Sequence, residues 1–331
     1  MLTKLKIACF LFVLCTLVQP AGAIDVERAD VQKFIDAMVE KHDYDRDQLS
    51  GVMKKAESQE AILTAISRPA EKTLTWHEYR AIFLTDERID AGVKFWREHK
   101  EDLHRISEDT GVSCEILVGI IGVETYFGRI TGKYRVLDAL STLAFDYPPR
   151  SKFFTSELEQ FLLLVREEGM EATDATGSYA GAMGAPQFMP SSFRAYAVDS
   201  NDDGKRDIWS DWQDVIGSVA NYFVEHGWER ETSVVAQASL GSEWQGELPQ
   251  NTLSPTETVD SLKVQGVTFT ASLPGDHKSQ LLTLAGEDGD EYWVGFHNFF
   301  VITRYNRSVM YALAVHQLGQ EIALEVEGSD S

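Results

Sequence analysis

One carboxylate lies within an otherwise apolar stretch and is the first candidate for chemistry in this sequence. The stretch is 116-ILVGIIGVETYFGR-129, in which Glu124 follows a run of Ile, Leu, Val and Gly. On a helix, Ile120 and Ile121 lie one turn before Glu124 and present aliphatic walls to its carboxyl. Burial disfavours the ionised form, and a protonated carboxylic acid suits general-acid catalysis. The alternative is a glutamate at a helix end that reaches solvent or pairs with Arg129.

A second stretch, 177-GSYAGAMGAPQFMPSSF-193, is rich in small and apolar residues and carries no charge over 17 residues. Its hydrogen-bonding groups are Ser178, Tyr179 and Gln187. Small residues with a few polar tips are typical of the wall of a groove for a polar, uncharged ligand such as a sugar. A tightly packed core turn is the alternative interpretation.

A third stretch, 199-DSNDDGKRDIWS-210, fits the first half of a calcium-binding loop. Oxygen donors fall at its first, third, fifth and seventh positions: Asp199, Asn201, Asp203 and the carbonyl of Lys205. The twelfth position is Ser210 instead of a bidentate Glu, so Asp211 or Asp214 would have to supply the last carboxylate from a longer loop. An Asx-rich turn without metal is the alternative.

A fourth stretch, 298-NFFVITRYNRSVMYA-312, adds Tyr305, Asn306 and Tyr311 ahead of a final helical segment. Aromatic faces with nearby amides suit pyranose rings, although isolated aromatics are also common in cores. The sequence contains no HExxH, P-loop, GxGxxG or GxSxG motif, which argues against the corresponding metalloprotease, nucleotide-binding and hydrolase sites.

Composition excludes several classes of partner. The chain has 331 residues, 44% of them hydrophobic, and a formal net charge of −22. The hydrophobic fraction supports a packed core. The negative charge argues against nucleic acid and anionic membrane surfaces as partners, so an anionic ligand would need a local basic region.

The first 23 residues have the features of a secretory signal peptide. Lys4 and Lys6 form a positive start, residues 7–18 are apolar, and residues 21–23 are a small-residue cleavage site before Ile24. We therefore expect export to the periplasm.

The cysteines predict neither a disulfide framework nor a lipid anchor. Leu14 is larger than the small residue expected before a lipidated cysteine, so we do not expect Cys15 to carry lipid. Removal of the signal peptide would leave Cys114 alone, which we interpret as a small buried hydrophobic residue.

Hydrophobic spacing predicts the elements that position these stretches. Residues 27–105 are expected to be helical, and further helices are expected from the Ser113 cap to near Gly128, over 156–169, over 214–227 with Asp214 at the cap, and over 308–326. Residues 281–296 predict a hairpin around a Gly- and Asp-rich turn.

Taken in order, the four stretches closely resemble the membrane-bound lytic murein transglycosylase B family, from about Asp30 to Val326. The resemblance implies a mainly α (α+β) fold in which a lysozyme-like core carries extra helices and a small β-rich part. The expected division is a signal peptide at 1–23, an N-terminal helical part at 24–105, a catalytic core at 106–231 with an EF-hand-like loop at 199–214, a β-rich insertion at 232–296, and a C-terminal segment at 297–331 that completes the core.

The resemblance also implies residue roles, with Glu124 as the catalytic acid. The implied substrate-binding residues are Tyr79, Arg150, Ser178, Gln187, Phe188, Tyr222, Tyr305, Asn306 and Tyr311. The implied calcium ligands are Asp199, Asn201, Asp203, the carbonyl of Lys205 and Asp214.

Three positions depart from the family pattern. Ala185 stands where Gln or Tyr is frequent, and Pro149 precedes Arg150 where some members carry two arginines. One basic contact to the peptide stem or lactyl carboxylate is therefore in question. A residue inserted before Asp214 leaves the last calcium ligand uncertain.

The implied activity is cleavage of the β-1,4 bond between N-acetylmuramic acid and N-acetylglucosamine in peptidoglycan, leaving a 1,6-anhydro end. The matched motifs contain a single acid, so the hypothesis is that Glu124 protonates the glycosidic oxygen and then acts as base while the sugar's own C6 hydroxyl attacks. No cofactor is required for this chemistry, and a calcium ion would have a structural role only. Expected partners are glycan strands and other cell-wall enzymes, with the chain as a monomer.

Three alternatives stay open on the sequence alone. A hydrolytic muramidase would use water instead of the C6 hydroxyl, a non-catalytic wall-binding protein would not need Glu124, and a calcium sensor would rest on the one degenerate loop.

Overall fold

The computed structural model describes residues 22–67, 74–244, 246–248 and 250–330. The predicted signal peptide therefore lies outside the described residues except for its last two. These two, Gly22–Ala23, pair as an antiparallel strand with Glu57–Ser58. The next residue, Ile24, is buried, and its backbone N–H donates to the carbonyl of Ala56 at 2.9 Å.

Helices dominate the described part of the chain, which confirms the mainly α fold class. They are α1 (Ala29–His42), α2 (Arg46–Met53), α3 (Glu60–Ile66), α4 (Trp76–Phe83), α5 (Asp86–Glu98), α6 (Lys100–Thr110), α7 (Cys114–Thr125), α8 (Val136–Asp146), α9 (Ser151–Glu167), α10 (Pro190–Tyr196), α11 (Trp212–Glu225), α12 (Val259–Val264), α13 (His297–Tyr305) and α14 (Val309–Asp330). The strands are β1 (Gly22–Ala23), β2 (Glu57–Ser58), β3 (Tyr134–Arg135), β4 (Thr176–Gly177), β5 (Val235–Leu240), β6 (Glu257–Thr258), β7 (Val267–Phe269), β8 (Lys278–Ala285) and β9 (Asp290–Phe296).

Helix α7 lies at the centre of the main core and is buried on all sides from Ile116 to Val123. Helix α14 packs along it at unusually close range. A Cβ on Gly119 would lie 2.4 Å from the carbonyl oxygen of Val315, and a Cβ on Gly319 would lie 2.1 Å from that of Glu115. The lack of a side chain at Gly119 and Gly319 therefore lets the two helices approach backbone to backbone.

The β-rich part is a five-stranded antiparallel sheet in the order β6-β8-β9-β5-β7. The predicted hairpin is confirmed: β8 and β9 pair from Ser279 opposite Phe296 to Ala285 opposite Asp290. The sheet and α12 enclose a small core of their own around Leu262, which gives this part a separate hydrophobic centre.

Helix α7 ends earlier than the sequence predicts, at Thr125 instead of near Gly128. Tyr126 and Phe127 follow with φ of 52° and 57°, in the left-handed region. Non-glycine residues adopt this conformation only when their surroundings require it, so the local sequence gave no sign of the turn.

Two other helix starts differ from expectation. Helix α11 begins at Trp212 with Asp211 as its N-cap, whose side chain accepts N–H bonds from Gln213 and Asp214. Asp214 is therefore inside the first turn and is not the cap. Helix α9 begins at Ser151, one turn before the predicted range 156–169, because the preceding prolines lead directly into it.

Cys114 is a free thiol at the start of α7 and is partly buried, which corrects the expectation of full burial. Its Sγ donates to the carbonyl of Leu103 at 3.5 Å. Burial raises the pKa of the thiol to about 11, so it stays protonated and unreactive near neutral pH.

Candidate active site

Glu124 sits in the last turn of α7 and is half-buried. The phenol of Tyr311, from the first turn of α14, donates a hydrogen bond to Glu124 Oε1 at 2.5 Å. Tyr311 is only 2% exposed, and burial followed by the charge of Glu124 holds the pKa of this phenol well above its usual value. Tyr311 therefore remains a hydrogen-bond donor at any pH at which the protein is folded and active.

Arg88, from α5, closes the end of the helix that carries Glu124. Its Nη1 donates to the carbonyl of Gly122 at 2.7 Å, and its guanidinium carbon lies 4.5 Å from the ring centre of Tyr126. The Gly122 carbonyl also accepts the backbone N–H of Tyr126 at 3.1 Å, so Arg88 is a second, cationic donor at this helix end, where the helix dipole favours positive charge. The guanidinium of Arg129 lies over the same ring, at 4.6 Å.

Thr125 ties this helix end to the uncharged stretch 177–193. Its hydroxyl donates to the carbonyl of Ala185 at 3.0 Å, and its Oγ1 accepts the N–H of Gly128 at 3.1 Å. From the other side, Gln187 Nε2 donates to the carbonyl of Thr131 at 3.0 Å. These hydrogen bonds fix the stretch against the end of α7. Gln187 adopts the left-handed backbone conformation, with a φ of 52°.

An aromatic cluster lies behind this contact. The Tyr305 hydroxyl donates to the carbonyl of Pro186 at 2.7 Å, and its ring centre lies 4.7 Å from that of Tyr222 and 5.9 Å from that of Phe188. Burial raises the pKa of Tyr305, and the charge of Glu124 raises it further. The Tyr305 phenol is therefore close enough to Glu124 to interact with its charge. Phe188 and Tyr222 are buried, so they support the other groups from behind.

The remaining predicted substrate-binding residues are distributed around this centre. Tyr79 is buried and close enough to Tyr311 to raise the pKa of that phenol. Asn306 is half-buried next to Tyr305, and Ser178 Oγ accepts the N–H of Ala182 at 3.1 Å within its own loop. Arg150 is exposed outside this cluster, with its guanidinium 4.5 Å from the Phe153 ring centre.

The acidic loop at 199–214 contacts the uncharged stretch at Ile208, whose carbonyl accepts the N–H of Ala185 at 2.9 Å, and its carboxylates bind the loop's own amides. The two oxygens of Asp199 accept the N–H groups of Asp203, at 3.2 Å, and Gly204, at 2.7 Å. Asn201 Oδ1 also accepts the N–H of Asp203, at 3.0 Å. These donors are all oxygens, the ligand type that calcium prefers, and they alternate along the loop as a calcium loop requires.

Asp214 is fully buried and holds the loop through hydrogen bonds to its backbone. Its two oxygens accept the N–H groups of Ser200, at 2.7 Å, and Asp207, at 2.8 Å. Burial raises the pKa of Asp214, and the like charges of Asp211 and Asp199 raise it further. Within the described ranges, no three Asp, Glu, His or Cys side chains converge closely enough to hold a metal ion, so Asp214 is not gathered with Asp199 and Asp203.

Sequence reasoning missed Arg88 and Thr125. Arg88 belongs to the amphipathic helix α5, where charged residues on the polar face are expected. The residues next to it in the sequence do not indicate that its side chain contacts Gly122. Thr125 is adjacent to Glu124, but its role depends on where Ala185 lies. A cationic side chain that caps a helix from a distant element has no spacing signature that a single sequence could reveal.

Known proteins share sequence similarity with most of this chain. A family model described as transglycosylase SLT domain matches residues 27–320. The chain is 42% identical over 318 residues to membrane-bound lytic murein transglycosylase B of Escherichia coli (strain K12), covering 93% of this chain and 86% of that protein.

Three solved structures have the same fold over most of the chain. Soluble lytic transglycosylase SltB1 from Pseudomonas aeruginosa matches with a TM-score of 0.85 and 51% identity, covering 89% of this chain and 98% of that one. Escherichia coli Slt35 in complex with calcium matches with a TM-score of 0.83 and 42% identity, covering 92% and 96%. Pseudomonas aeruginosa SltB3 in complex with NAG-anhNAM-pentapeptide matches with a TM-score of 0.78 and 27% identity, covering 88% and 79%.

Proposed function

This chain belongs to the transglycosylase SLT domain family and is a lytic murein transglycosylase, and we propose that it uses Glu124 as its single general acid and base to leave 1,6-anhydromuramic acid ends on peptidoglycan. The observation that carries the assignment is the hydrogen bond from Tyr311 to Glu124 Oε1. A half-buried carboxyl held at Oε1 by a fixed donor is oriented by that bond, as a group that transfers a proton must be.

The proposed chemistry requires Glu124 to carry a proton when the substrate binds. Glu124 lies at the carboxyl end of α7, where the helix dipole disfavours a negative charge, and it is flanked by buried aliphatic and aromatic side chains. Glu124 would then protonate the glycosidic oxygen, and positive charge would develop at the anomeric carbon of the muramic acid residue.

The second step is intramolecular. The C6 hydroxyl of the same sugar attacks the anomeric carbon and loses its proton to Glu124, which restores the acid. Holding the hydroxyl beside the carbon converts a bimolecular attack into a unimolecular one, an effect worth about 7 kcal/mol or more when alignment is good. Ser178, Gln187 and Asn306 are proposed to orient the N-acetyl sugars for this step.

Product analysis tests the proposal against the hydrolytic muramidase. Purified peptidoglycan is digested to completion, and the fragments are separated and weighed by mass spectrometry. Anhydro-ended fragments, lighter than the hydrolytic products by one water, are expected. If digestion produced reducing ends alone, the transglycosylase chemistry would be refuted. Cleavage of the bond between N-acetylmuramic acid and N-acetylglucosamine would still stand.

The Glu124→Gln variant tests the non-catalytic alternative. Glutamine keeps the size and can still accept the hydrogen bond from Tyr311, but it cannot donate an acidic proton. Loss of lysis by about a thousand-fold is expected at an unchanged melting temperature. Lysis at the wild-type rate would show that Glu124 is not the acid.

A calcium ion is proposed to stabilise the 199–214 loop without entering the chemistry. Asp199, Asn201, Asp203 and the carbonyl of Lys205 supply the alternating oxygen donors, and a related protein, Slt35, has been solved with calcium. Asp214 would act by shaping the loop through Ser200 and Asp207, with direct ligation as the alternative.

The proposed location is the periplasm, where peptidoglycan lies. No helix in the described ranges has the length and apolar character that crossing a membrane requires. The Escherichia coli relative is named membrane-bound, which weighs against the expectation of a chain without a lipid anchor. The mass of the mature amino terminus would distinguish a cut before Ile24 from a lipidated Cys15. A monomeric chain that acts beside other cell-wall enzymes remains part of the proposal.

A further inference from the structure

A second groove lies between α1 and α9, with the end of α8 at its base. We call it the α1–α9 groove, and its volume is about 380 Å³. Its lining residues recur every three or four positions on each helix, so one face of each helix forms a wall. The wall residues are Lys33, Ala37 and Lys41 on α1 and Lys152, Thr155 and Glu159 on α9.

The floor of the α1–α9 groove is apolar and held in place. Phe34 is 5% exposed and meets the half-buried Phe145 edge to face, with ring centres 6.0 Å apart. Arg28 Nη2 donates to the carbonyl of Phe145 at 2.9 Å. On the other side, Ser151 Oγ donates to the carbonyl of Ala144 at 2.6 Å. The groove is therefore formed before any partner arrives, as binding sites usually are.

The uncompensated charge of the α1–α9 groove is positive, although the chain carries −22. Its two acidic residues already have partners: Asp30 pairs with Arg28 at 2.8 Å, and Glu159 Oε1 lies 2.8 Å from His42 Nε2. Within the described ranges, its three exposed ammonium groups form no ion pair and no side-chain hydrogen bond. These groups stand on both walls: Lys33, Lys41 and Lys152.

The α1–α9 groove shares no residue with the candidate active site. None of its lining residues contacts Glu124 or belongs to the predicted substrate-binding set. Arg150 is the member of that set nearest to the groove in sequence, and its guanidinium stacks instead on Phe153 at 4.5 Å and on Phe154 at 5.0 Å. The groove therefore calls for a ligand other than the glycan strand.

We propose that the α1–α9 groove docks an amphipathic helix of a partner protein, with apolar side chains on the floor and acidic side chains against the three lysines. A helix in a groove presents one apolar stripe, and acidic residues on both flanks of that stripe would match the cations on the two walls. Steering by such charges speeds association in a protein that otherwise repels acidic partners.

The shape of the groove favours a helix over a membrane surface. Phe34 lies buried between the two walls, so a flat bilayer would meet the lysines without reaching the apolar floor. A helix can insert side chains between the walls, which removes apolar surface from water on both partners.

The test measures binding of synthetic peptides to the full chain by calorimetry. The probe is a helical peptide about four turns long with leucines along one face and glutamates on both flanks. One control peptide has lysine for each glutamate, and the other has the probe's residues in scrambled order. Vesicles of phosphatidylglycerol serve as the membrane probe.

Three variants locate the binding. The first replaces the three groove lysines by Gln, and Ala37→Leu fills the space above the floor. The matched control makes the same charge change at three exposed lysines outside the groove, by Lys54→Gln, Lys55→Gln and Lys263→Gln together. None of these residues belongs to the catalytic or substrate-binding set, so lysis of peptidoglycan and the melting temperature should stay at wild-type values.

The probe peptide is expected to bind at least ten-fold more tightly than either control peptide. The groove triple variant should weaken its binding about ten-fold, Ala37→Leu should weaken it as well, and the control triple should leave it unchanged. Binding should also weaken as salt is raised.

Four results would overturn the inference. They are no binding of the probe at about 1 mM, equal binding of the scrambled peptide, equal losses in the two triple variants, and vesicle binding that needs the groove lysines while the probe does not bind. The last result would assign the three lysines to a membrane surface. All four leave the chemistry proposed for Glu124 untouched, because product analysis tests that chemistry separately.

Discussion

Tyr311 donates a hydrogen bond to Glu124 across the contact between α14 and α7, at 2.5 Å. Tyr311 is buried, and we propose that its phenol positions the carboxyl; the substrate contact that the family resemblance implies for Tyr311 stays a prediction. The close approach of the two helices at Gly119 and Gly319 sets the distance between the two side chains. The geometry of the acid is therefore a property of helix packing.

Replacing Tyr311 by Phe is expected to lower kcat about ten-fold or more. The change removes one hydrogen bond to a charged or charge-developing group, worth about 1.5–3 kcal/mol, and leaves the ring in place. Because the pKa of Tyr311 is raised by burial, the phenol is protonated throughout the active range, and the loss should be constant from about pH 5 to 8.

Tyr44→Phe is the matched control for Tyr311→Phe. Its phenol donates to the carbonyl of Leu162 at 2.6 Å, away from Glu124, and the pKa of Tyr44 is also raised by burial. The control should lose a similar amount of stability at unchanged kcat. Equal kcat for both variants would show that the Tyr311 hydrogen bond has no role in catalysis.

Gly119→Ala is expected to lower both stability and kcat. The added methyl would meet the carbonyl of Val315 at 2.4 Å, which is backbone and cannot turn aside, so α14 must shift. Overpacking of this kind costs about 1–3 kcal/mol, measurable by urea unfolding. In Gly51→Ala, on α2, the methyl meets nothing within 4 Å, and the variant should be stabilised by about 1 kcal/mol with normal kcat. Normal stability of Gly119→Ala would contradict the close packing.

His316 is expected to make the fold acid-sensitive. Burial lowers the pKa of its imidazole to about 4, although Glu115 opposes this shift, and its Nδ1 has no hydrogen-bond partner among the described residues. Above about pH 6.5 the ring is neutral in both states. As the pH falls below that value the unfolded chain binds the proton first, so folding stability declines until about pH 4, by about 3 kcal/mol at most.

His316→Phe tests this acid sensitivity by difference. Unfolding free energies of the variant and the wild type are compared at a series of pH values, so that carboxylates common to both cancel. The unfolding free energy of the variant minus that of the wild type should rise as the pH falls from about 6.5 to 4. Above pH 6.5 this difference should not depend on pH. A difference independent of pH would refute the titration of His316.

Calcium is expected to raise the melting temperature of the protein without changing kcat. At a calcium concentration about a hundred times Kd, the gain in unfolding free energy would be about 2.7 kcal/mol. Asp199→Asn should abolish the gain, whereas Asp288→Asn, in the β8–β9 turn, should retain it. Magnesium at the same concentration serves as the ionic-strength control. An unchanged melting temperature with calcium would show that the loop is an Asx-rich turn that needs no metal.

Local pattern was sufficient for much of the fold. The continuous apolar run at 116–123 predicts a buried helix, and the short strand-forming runs around a Gly- and Asp-rich turn predict the β8–β9 hairpin, because these signals depend on neighbours within one element. Helix limits were less predictable. The end of α7 at Thr125 depends on two left-handed residues, which are held there by contacts from elsewhere in the fold.

By itself, the sequence determined that one carboxylate lies in an apolar helix, that an uncharged stretch and an aromatic segment accompany it, and that these motifs resemble one enzyme family. The tertiary structure decided which side chains meet that carboxylate. Tyr311 is 187 residues from Glu124, and Arg88 reaches the helix end at Gly122 from 34 residues away. Such contacts depend on how helices pack, and helix periodicity specifies which face is buried without specifying what it packs against.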